Sequence, residues 1–358
     1  MGLAVRAASH RRHQELTALS RGRVELVPLP APSLERNPLG DPSVRETPVY
    51  LPPPYEAEPE RRFPVIYNLH GFMGSSLSHL NWQPYQPRSH ERLEVAILAG
   101  EVPPCLYVLV DGWTKLGGSQ YVNSSALGDY FDYVTRDVVG HVDRTFRTVS
   151  HRDARAVMGK SSGGYGALVM AAYADVFGIV ASHSGDAGFL HVYAHDFPKT
   201  AAALRDAGGV RAWLEAYWDR ARTKKPRPDD GPVINTIAMA AAYSPDPSRE
   251  MGIALPFDVD TCELDAAVWG RWEERDPVEF VPRHMDALRS LRLLYFDCGT
   301  KDQFNIHWGS RLLSRRLTAA GVPHLYEEFD DDHSNVQYRY ERSFRLIGEA
   351  FRRAGVSP

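Results

Sequence analysis

Arg155-Ala156-Val157-Met158-Gly159-Lys160-Ser161-Ser162-Gly163-Gly164 is the stretch of this 358-residue chain whose reading decides the fold. A short apolar run ends on Gly159, and apolar residues resume in Tyr165-Gly166-Ala167-Leu168-Val169-Met170, so the segment predicts a strand, a sharp turn and a helix. Gly159-Lys160-Ser161-Ser162-Gly163 fits the pattern G-x-S-x-G. So tight a turn holds its central residue in a strained backbone conformation, and flanking residues without Cβ avoid the clash. The serine then stands at a helix N-terminus, where backbone N–H groups face a developing negative charge. Ser162 is a rival nucleophile, but Lys160 rather than glycine stands two places before it, so the pattern fits Ser161 in one register only.

Outward from this turn, short apolar runs alternate with helical stripes. Val24 to Leu29, Val44 to Leu51, Val65 to Leu69, Leu106 to Val110, Ile179 to Ser182, Leu291 to Phe296 and His324 to Phe329 read as further strands. Val65 to Leu69 is almost wholly apolar, as expected of a central parallel strand buried on both faces, and it runs into His70-Gly71-Phe72-Met73-Gly74. Leu127, Phe131, Val134, Val138, Val142 and Phe146 recur at spacings of three and four and predict one long helix. Leu312, Leu313 and Leu317 mark another, and Phe344, Ile347 and Phe351 a closing one. This alternation predicts an α/β chain with a mostly parallel central sheet flanked by helices.

From about Ala187 to Ser290 the alternation stops, and stripes such as Val210, Trp213, Leu214, Tyr217 and Trp218 predict helices. The expected organisation is a first core segment over 1–186, with 1–22 as a flexible or helical extension. A helical cap follows over 187–290, and a second core segment over 291–358. The cap leaves and rejoins the core near Ser161, and its Trp213, Trp218, Trp269 and Trp272 are expected to supply apolar area to a lid over the site.

A serine nucleophile needs an acid and then a histidine on later loops. Cys298-Gly299-Thr300-Lys301-Asp302-Gln303-Phe304 follows one late strand, and Asp330-Asp331-Asp332-His333 follows the next. Asp302 and His333 are the expected partners of Ser161; Asp297, at a strand end, is the rival acid. Oxyanion donors are expected from the N–H of Ser162 and of Phe72, with Met73 as the alternative to Phe72. Trp82, Trp113, Tyr121 and Phe304 lie on loops predicted to surround the serine and are candidate substrate contacts.

A formal net charge of −4 and the lack of a Lys/Arg-rich run argue against nucleic acid as a partner. No segment approaches the roughly 20 apolar residues of a membrane span. Met1 to Ser20 carries Arg and His without an apolar signal core, so a cytoplasmic protein is expected. Cys105, Cys262 and Cys298 are too scattered to suggest disulfides or a zinc site and read as reduced thiols.

Taken together, Asn37-Pro38-Leu39-Gly40-Asp41-Pro42, His70-Gly71-Phe72, Gly117-Gly118-Ser119-Gln120-Tyr121-Val122-Asn123-Ser124, Gly159 to Gly164 and Gly299 to Phe304 resemble the putative esterase family. That family includes S-formylglutathione hydrolases, enterochelin esterases, feruloyl esterases and the antigen 85 mycolyltransferases. The resemblance covers roughly Val24 to Asp186 and Ser290 to Phe351. It implies an α/β-hydrolase fold, Ser161, Asp302 and His333 acting together, no metal or organic cofactor, and a small-molecule ester as substrate. The expected activity is hydrolysis of carboxylic esters through an acyl-enzyme. Transfer of the acyl group to an alcohol is the nearest alternative, and a noncatalytic binding module on the same scaffold is a third.

Overall fold

The computed structural model describes residues 21–225 and 227–356. The segment read as an N-terminal extension therefore lies almost wholly outside the described residues. Eight strands form one sheet: β1 (Arg23–Pro30), β2 (Val44–Leu51), β3 (Val65–Leu69), β4 (Leu106–Val110), β5 (Arg155–Lys160), β6 (Ile179–His183), β7 (Leu293–Gly299) and β8 (Leu325–Phe329). Their order across the sheet is β1-β2-β4-β3-β5-β6-β7-β8. β1 pairs antiparallel with β2 and β2 with β4, and every other pairing is parallel.

Period-two alternation sorts each central strand between two buried layers. Val65, Tyr67, Leu69, Val108, Val110 and Val157 enter one hydrophobic cluster. Ile66, Tyr107, Leu109, Ala156, Met158 and Ala181 enter the other, with Leu93 and Ile97 of helix α1 (Ser89–Leu98) and Phe344, Ile347 and Phe351 of the C-terminal helix. Residues i and i+2 share a face of a strand, so a sheet covered on both sides needs apolar residues at both parities.

The long helix expected from Leu127 to Phe146 is shorter and irregular. An α turn at Tyr130–Asp132 passes into a π-helical stretch at Tyr133–Val138 and then into α-helix at Val139–Thr145. Tyr130 and Tyr133 are buried, whereas Phe131 is only partly so. Leu127 precedes the helix and Phe146 caps it.

Helix α2 (Ser162–Tyr173) follows β5 directly. The described residues of 187–290 contribute no strand to the sheet. Their helices include α3 (Phe189–Tyr193), α4 (Phe197–Ala207), α5 (Val210–Thr223), α6 (Asp230–Tyr243), α7 (Ala266–Glu273) and α8 (Pro277–Phe280). Asp276 ties the two ends of this region together, its carboxylate accepting N–H bonds from Gly188, Phe189 and Val278. Trp272 is fully buried, donates from Nε1 to Ser244 Oγ at 2.8 Å, and meets Phe197, Tyr193 and Tyr243 edge-on. These helices share one continuous hydrophobic cluster with a face of the sheet. α9 (Ile306–Ala319) and α10 (Tyr340–Arg353) complete the layers. Cys105, Cys262 and Cys298 are free thiols. Among the described residues no helix is long and apolar enough to cross a membrane.

Candidate active site

Ser161 has φ 58° and ψ −127°, a conformation costly for a residue with a side chain, and it is the N-cap of α2. Two glycines make the turn possible. A Cβ on Gly159 would lie 2.5 Å from the Gly163 backbone, and one on Gly163 would lie 2.0 Å from the Leu69 carbonyl oxygen. Strand, turn and helix therefore approach more closely than any side chain would allow. The Ser161 N–H donates to the His183 carbonyl at 2.9 Å and its own carbonyl accepts from Tyr165 N–H at 2.8 Å, holding the turn at both ends.

The loops after β7 and β8 meet beside it. His333 Nδ1 lies 2.7 Å from Asp302 Oδ2, and Asp302 Oδ1 accepts from Phe304 N–H at 2.9 Å. The His333 backbone N–H donates to Gln303 Oε1 at 2.9 Å, and the Phe304 ring stands edge-on to the imidazole at 4.8 Å. Burial alone would raise the Asp302 carboxyl; His333 and the N–H groups of Phe304 and Ile306 outweigh it and hold the group below its usual range. With Nδ1 engaged by a carboxylate, Nε2 is the imidazole nitrogen left to act as a base. Asp297, the rival acid, is committed elsewhere. It binds His183 Nδ1 at 2.8 Å, Arg339 Nε at 2.8 Å and Tyr295 Oη at 2.7 Å, and none of these residues lines the cavity of Ser161.

The loop after β3 is set by His70. Its Nδ1 donates to the Gly71 carbonyl at 2.8 Å, and its Nε2 accepts from Gly112 N–H at 2.8 Å. Burial holds this imidazole below its usual range, which keeps it neutral as that pairing requires. Across a trans peptide C=O and N–H point in opposite directions, so anchoring the Gly71 carbonyl turns the Phe72 N–H away from His70. Among the described residues the Phe72 N–H has no acceptor, whereas the Met73 N–H is spent on the Gly117 carbonyl at 2.8 Å. Ser162 opens α2, and the first N–H groups of a helix have no intrahelical partner.

Ser161, Ser162, Phe72, His333 and Phe304 all line one cavity of about 420 Å³. The helical region 187–290 supplies Val192, Tyr193, Asp196, Gly231, Pro232 and Asn235 to its wall. Lys160 and Asp186 also border it. Of the candidate substrate contacts, only Phe304 reaches this cavity. Trp82 is 74% exposed on the surface, and Trp113 is partly exposed, its carbonyl held by Arg45 at 3.0 Å. Tyr121 is buried behind the loop, donating from its hydroxyl to the His70 carbonyl at 2.8 Å, so it supports the loop from outside the cavity. Nor do the tryptophans of 187–290 line it. Trp213 stacks on Tyr217, Trp269 packs on Phe197 and Trp272, and Trp218 donates to the Lys115 carbonyl at 2.9 Å, so these rings fasten the helices together and to the core.

Asp186, Tyr193, Asp196 and Asn235 were not singled out from the sequence. Only Asp186 carried a usable signal, its place just beyond the strand that follows the serine turn. Among the described residues no group of His, Cys, Asp or Glu is arranged to hold a metal ion.

Comparison with known proteins agrees with this architecture. Residues 43–344 match the family model described as putative esterase. Two esterases from strains of Mycobacterium tuberculosis are each 29% identical over 212 residues, spanning 56% of this chain and 43% of theirs. The match thus takes in less than half of those relatives' length. Among solved structures, a ferulic acid esterase superposes with a TM-score of 0.60 at 17% identity, over 93% of this chain and 99% of that one. The fluorophosphonate-binding serine hydrolase F of Staphylococcus aureus gives 0.55 at 15% identity, over 92% and 99%. S-formylglutathione hydrolase of the same organism gives 0.55 at 15% identity, over 92% and 100%. At such identities these structures speak for the α/β-hydrolase fold alone, and by the family match over most of its length the chain belongs to the putative esterase family.

Proposed function

We propose that the chain is a serine carboxylesterase acting through an acyl-enzyme on Ser161. The observation that carries this reading is the 2.7 Å contact of His333 Nδ1 with Asp302, placed on the same cavity as the strained Ser161. His333 Nε2 takes the Ser161 hydroxyl proton as Oγ attacks the ester carbonyl carbon, and the carbonyl oxygen becomes an oxyanion facing the N–H groups of Ser162 and Phe72. Collapse expels the alcohol, which receives the proton from His333. Water then attacks the acyl-enzyme with His333 again as base, releasing the acid and restoring Ser161. Asp302 keeps the imidazole in the tautomer that leaves Nε2 free and stabilises the imidazolium. The helices over 187–290 act as a cap, a role supported by the six residues they contribute to the cavity wall.

A fluorophosphonate probe tests this directly. Peptide mass analysis is expected to find the adduct on Ser161, together with loss of hydrolysis of a short aryl ester. Labelling elsewhere, or full activity after Ser161 is modified, overturns the assignment.

A further inference from the structure

Asp186 is buried, with 6% of its surface exposed, and it borders the cavity that contains Ser161. One carboxylate oxygen, Oδ2, is fully used. It accepts from Tyr193 Oη at 2.7 Å and from Gln120 Nε2 at 3.0 Å, and Gln120 Nε2 also reaches Tyr243 Oη at 2.8 Å. The other oxygen, Oδ1, has no donor among the described residues, and it is not sealed from solvent as the orphaned Gln120 Oε1 is. A buried carboxylate oxygen without a partner is costly, and such groups are ordinarily satisfied by protein, water or ligand. The cavity is the space that borders Asp186. Asn235, on α6, lines the same cavity and has an amide with no partner among the described residues.

We propose that Asp186 Oδ1 is a specificity-determining acceptor for a hydroxyl group on the ester, so that the preferred substrates are hydroxylated rather than plain alkyl esters. The inference rests on the reading of Ser161 as nucleophile. A hydroxyl suits the surroundings because it donates to Asp186 and still accepts from the Asn235 amide. A cationic donor fits less well. The Lys160 ammonium is close enough to interact electrostatically with Asp186, and it would repel a second positive charge. The donors on Oδ2 hold the carboxylate so that its free oxygen meets the substrate without reorganisation, which is how a fixed polar group discriminates strongly against an analogue lacking its partner. Because Tyr193 belongs to the helical region and Gln120 to the core, the acceptor is placed only when both are docked.

The test compares aryl butanoates with and without a hydroxyl at successive acyl carbons, and butanoate esters of mono-alcohols with those of the matching diols. Wild-type enzyme is expected to favour at least one hydroxylated isomer over its parent by about tenfold or more in kcat/KM, the size of one hydrogen bond to a charged group. Asp186→Asn keeps an oxygen for Tyr193 and Gln120 but turns an NH₂ donor to the cavity, and it should lower that ratio by about tenfold. Equal use of every hydroxylated and plain pair by the wild type overturns the proposal, as does an unchanged ratio in folded Asp186→Asn. The wild-type comparison alone decides the matter if the variant does not fold. Fluorophosphonate labelling of Ser161 on the same preparations reports separately on the nucleophile.

Discussion

Asp302 Oδ2 lies 2.7 Å from His333 Nδ1, while Asp297, five positions earlier in the sequence, is joined to His183 at 2.8 Å. The two aspartates stand at the end of one strand and just beyond it, yet they serve separate networks. β7 continues through Asp297 to Gly299, so Asp297 is fixed within the sheet beside β6, whereas Asp302 lies in the loop that meets the segment after β8. Asp302→Asn is expected to lower kcat by about 10⁴, because an amide no longer selects the productive tautomer. Asp297→Asn should act mainly on stability. Steady-state kinetics with a melting curve for each variant separates the two; equal losses of kcat at equal stability would leave Asp302 without its special role.

Ser161→Ala should cost at least about three orders of magnitude in kcat, in keeping with losses on deletion of a nucleophile. Ser162→Ala should do little, since its proposed contribution is a backbone N–H. A dead Ser162→Ala beside an active Ser161→Ala would show that the turn presents the other hydroxyl.

His70 is expected to act through the Gly71–Phe72 peptide. Removing one oxyanion donor outright costs about 10²–10³ in kcat, so His70→Ala, which releases the Gly71 carbonyl and the Gly112 N–H but keeps the Phe72 N–H itself, should cost about 10- to 100-fold with KM little changed. An unaltered kcat in the folded variant would mean that this peptide holds its orientation without the imidazole.

In the helical region the cavity wall and the supporting core should respond differently. Asn235→Leu is expected to change the ranking of acyl and alcohol groups. Trp272→Ala, which empties a fully buried site and frees Ser244 Oγ, should cost about 3–5 kcal/mol of stability whatever the substrate. Thermal melts and a hydrolysis panel on both variants check this. A proportional loss on every substrate for Asn235→Leu would make the helices a support and not a selective wall.

Acid should weaken the fold partly through Asp297. Burial by itself would raise this carboxyl, but His183, Arg339 and Tyr295 more than offset it and hold the carboxyl below its ordinary range. A carboxyl lowered by folding binds fewer protons in the native than in the unfolded chain. Its stabilisation is full above the unfolded value of about 3.9 and is lost as pH falls through that value toward the folded one. The melting temperature of Asp297→Asn should therefore fall less steeply than that of wild type below about pH 4. Parallel curves would exclude Asp297 as a source of acid sensitivity.

The sequence by itself determined the elements that are local. Short apolar runs located all eight strands of the sheet, most plainly the central ones, because a strand covered on both faces must be apolar at successive positions. Gly159 and Gly163 marked the serine turn, since no residue with a Cβ survives there. Chain order made Asp302 and His333 the expected partners of Ser161, and it is the fold that brings His333 to Asp302 and to the cavity that Ser161 lines. The cavity wall did not. Loop aromatics such as Trp82, Trp113 and Tyr121 satisfy the same pattern whether they face a ligand, solvent or the back of a loop, and only the packed fold distinguishes these places. The π-helical stretch at Tyr133–Val138 was likewise hidden, because its apolar spacing suits an ordinary α-helix until the turn widens. Tertiary structure alone decided that Asp186, Tyr193 and Asn235 share the cavity with Ser161. Its physical reason is that the helices over 187–290 fold back onto a face of the sheet and pack their tryptophans against each other and the core, leaving smaller and polar residues such as Asp196, Gly231, Pro232 and Asn235 at the cavity.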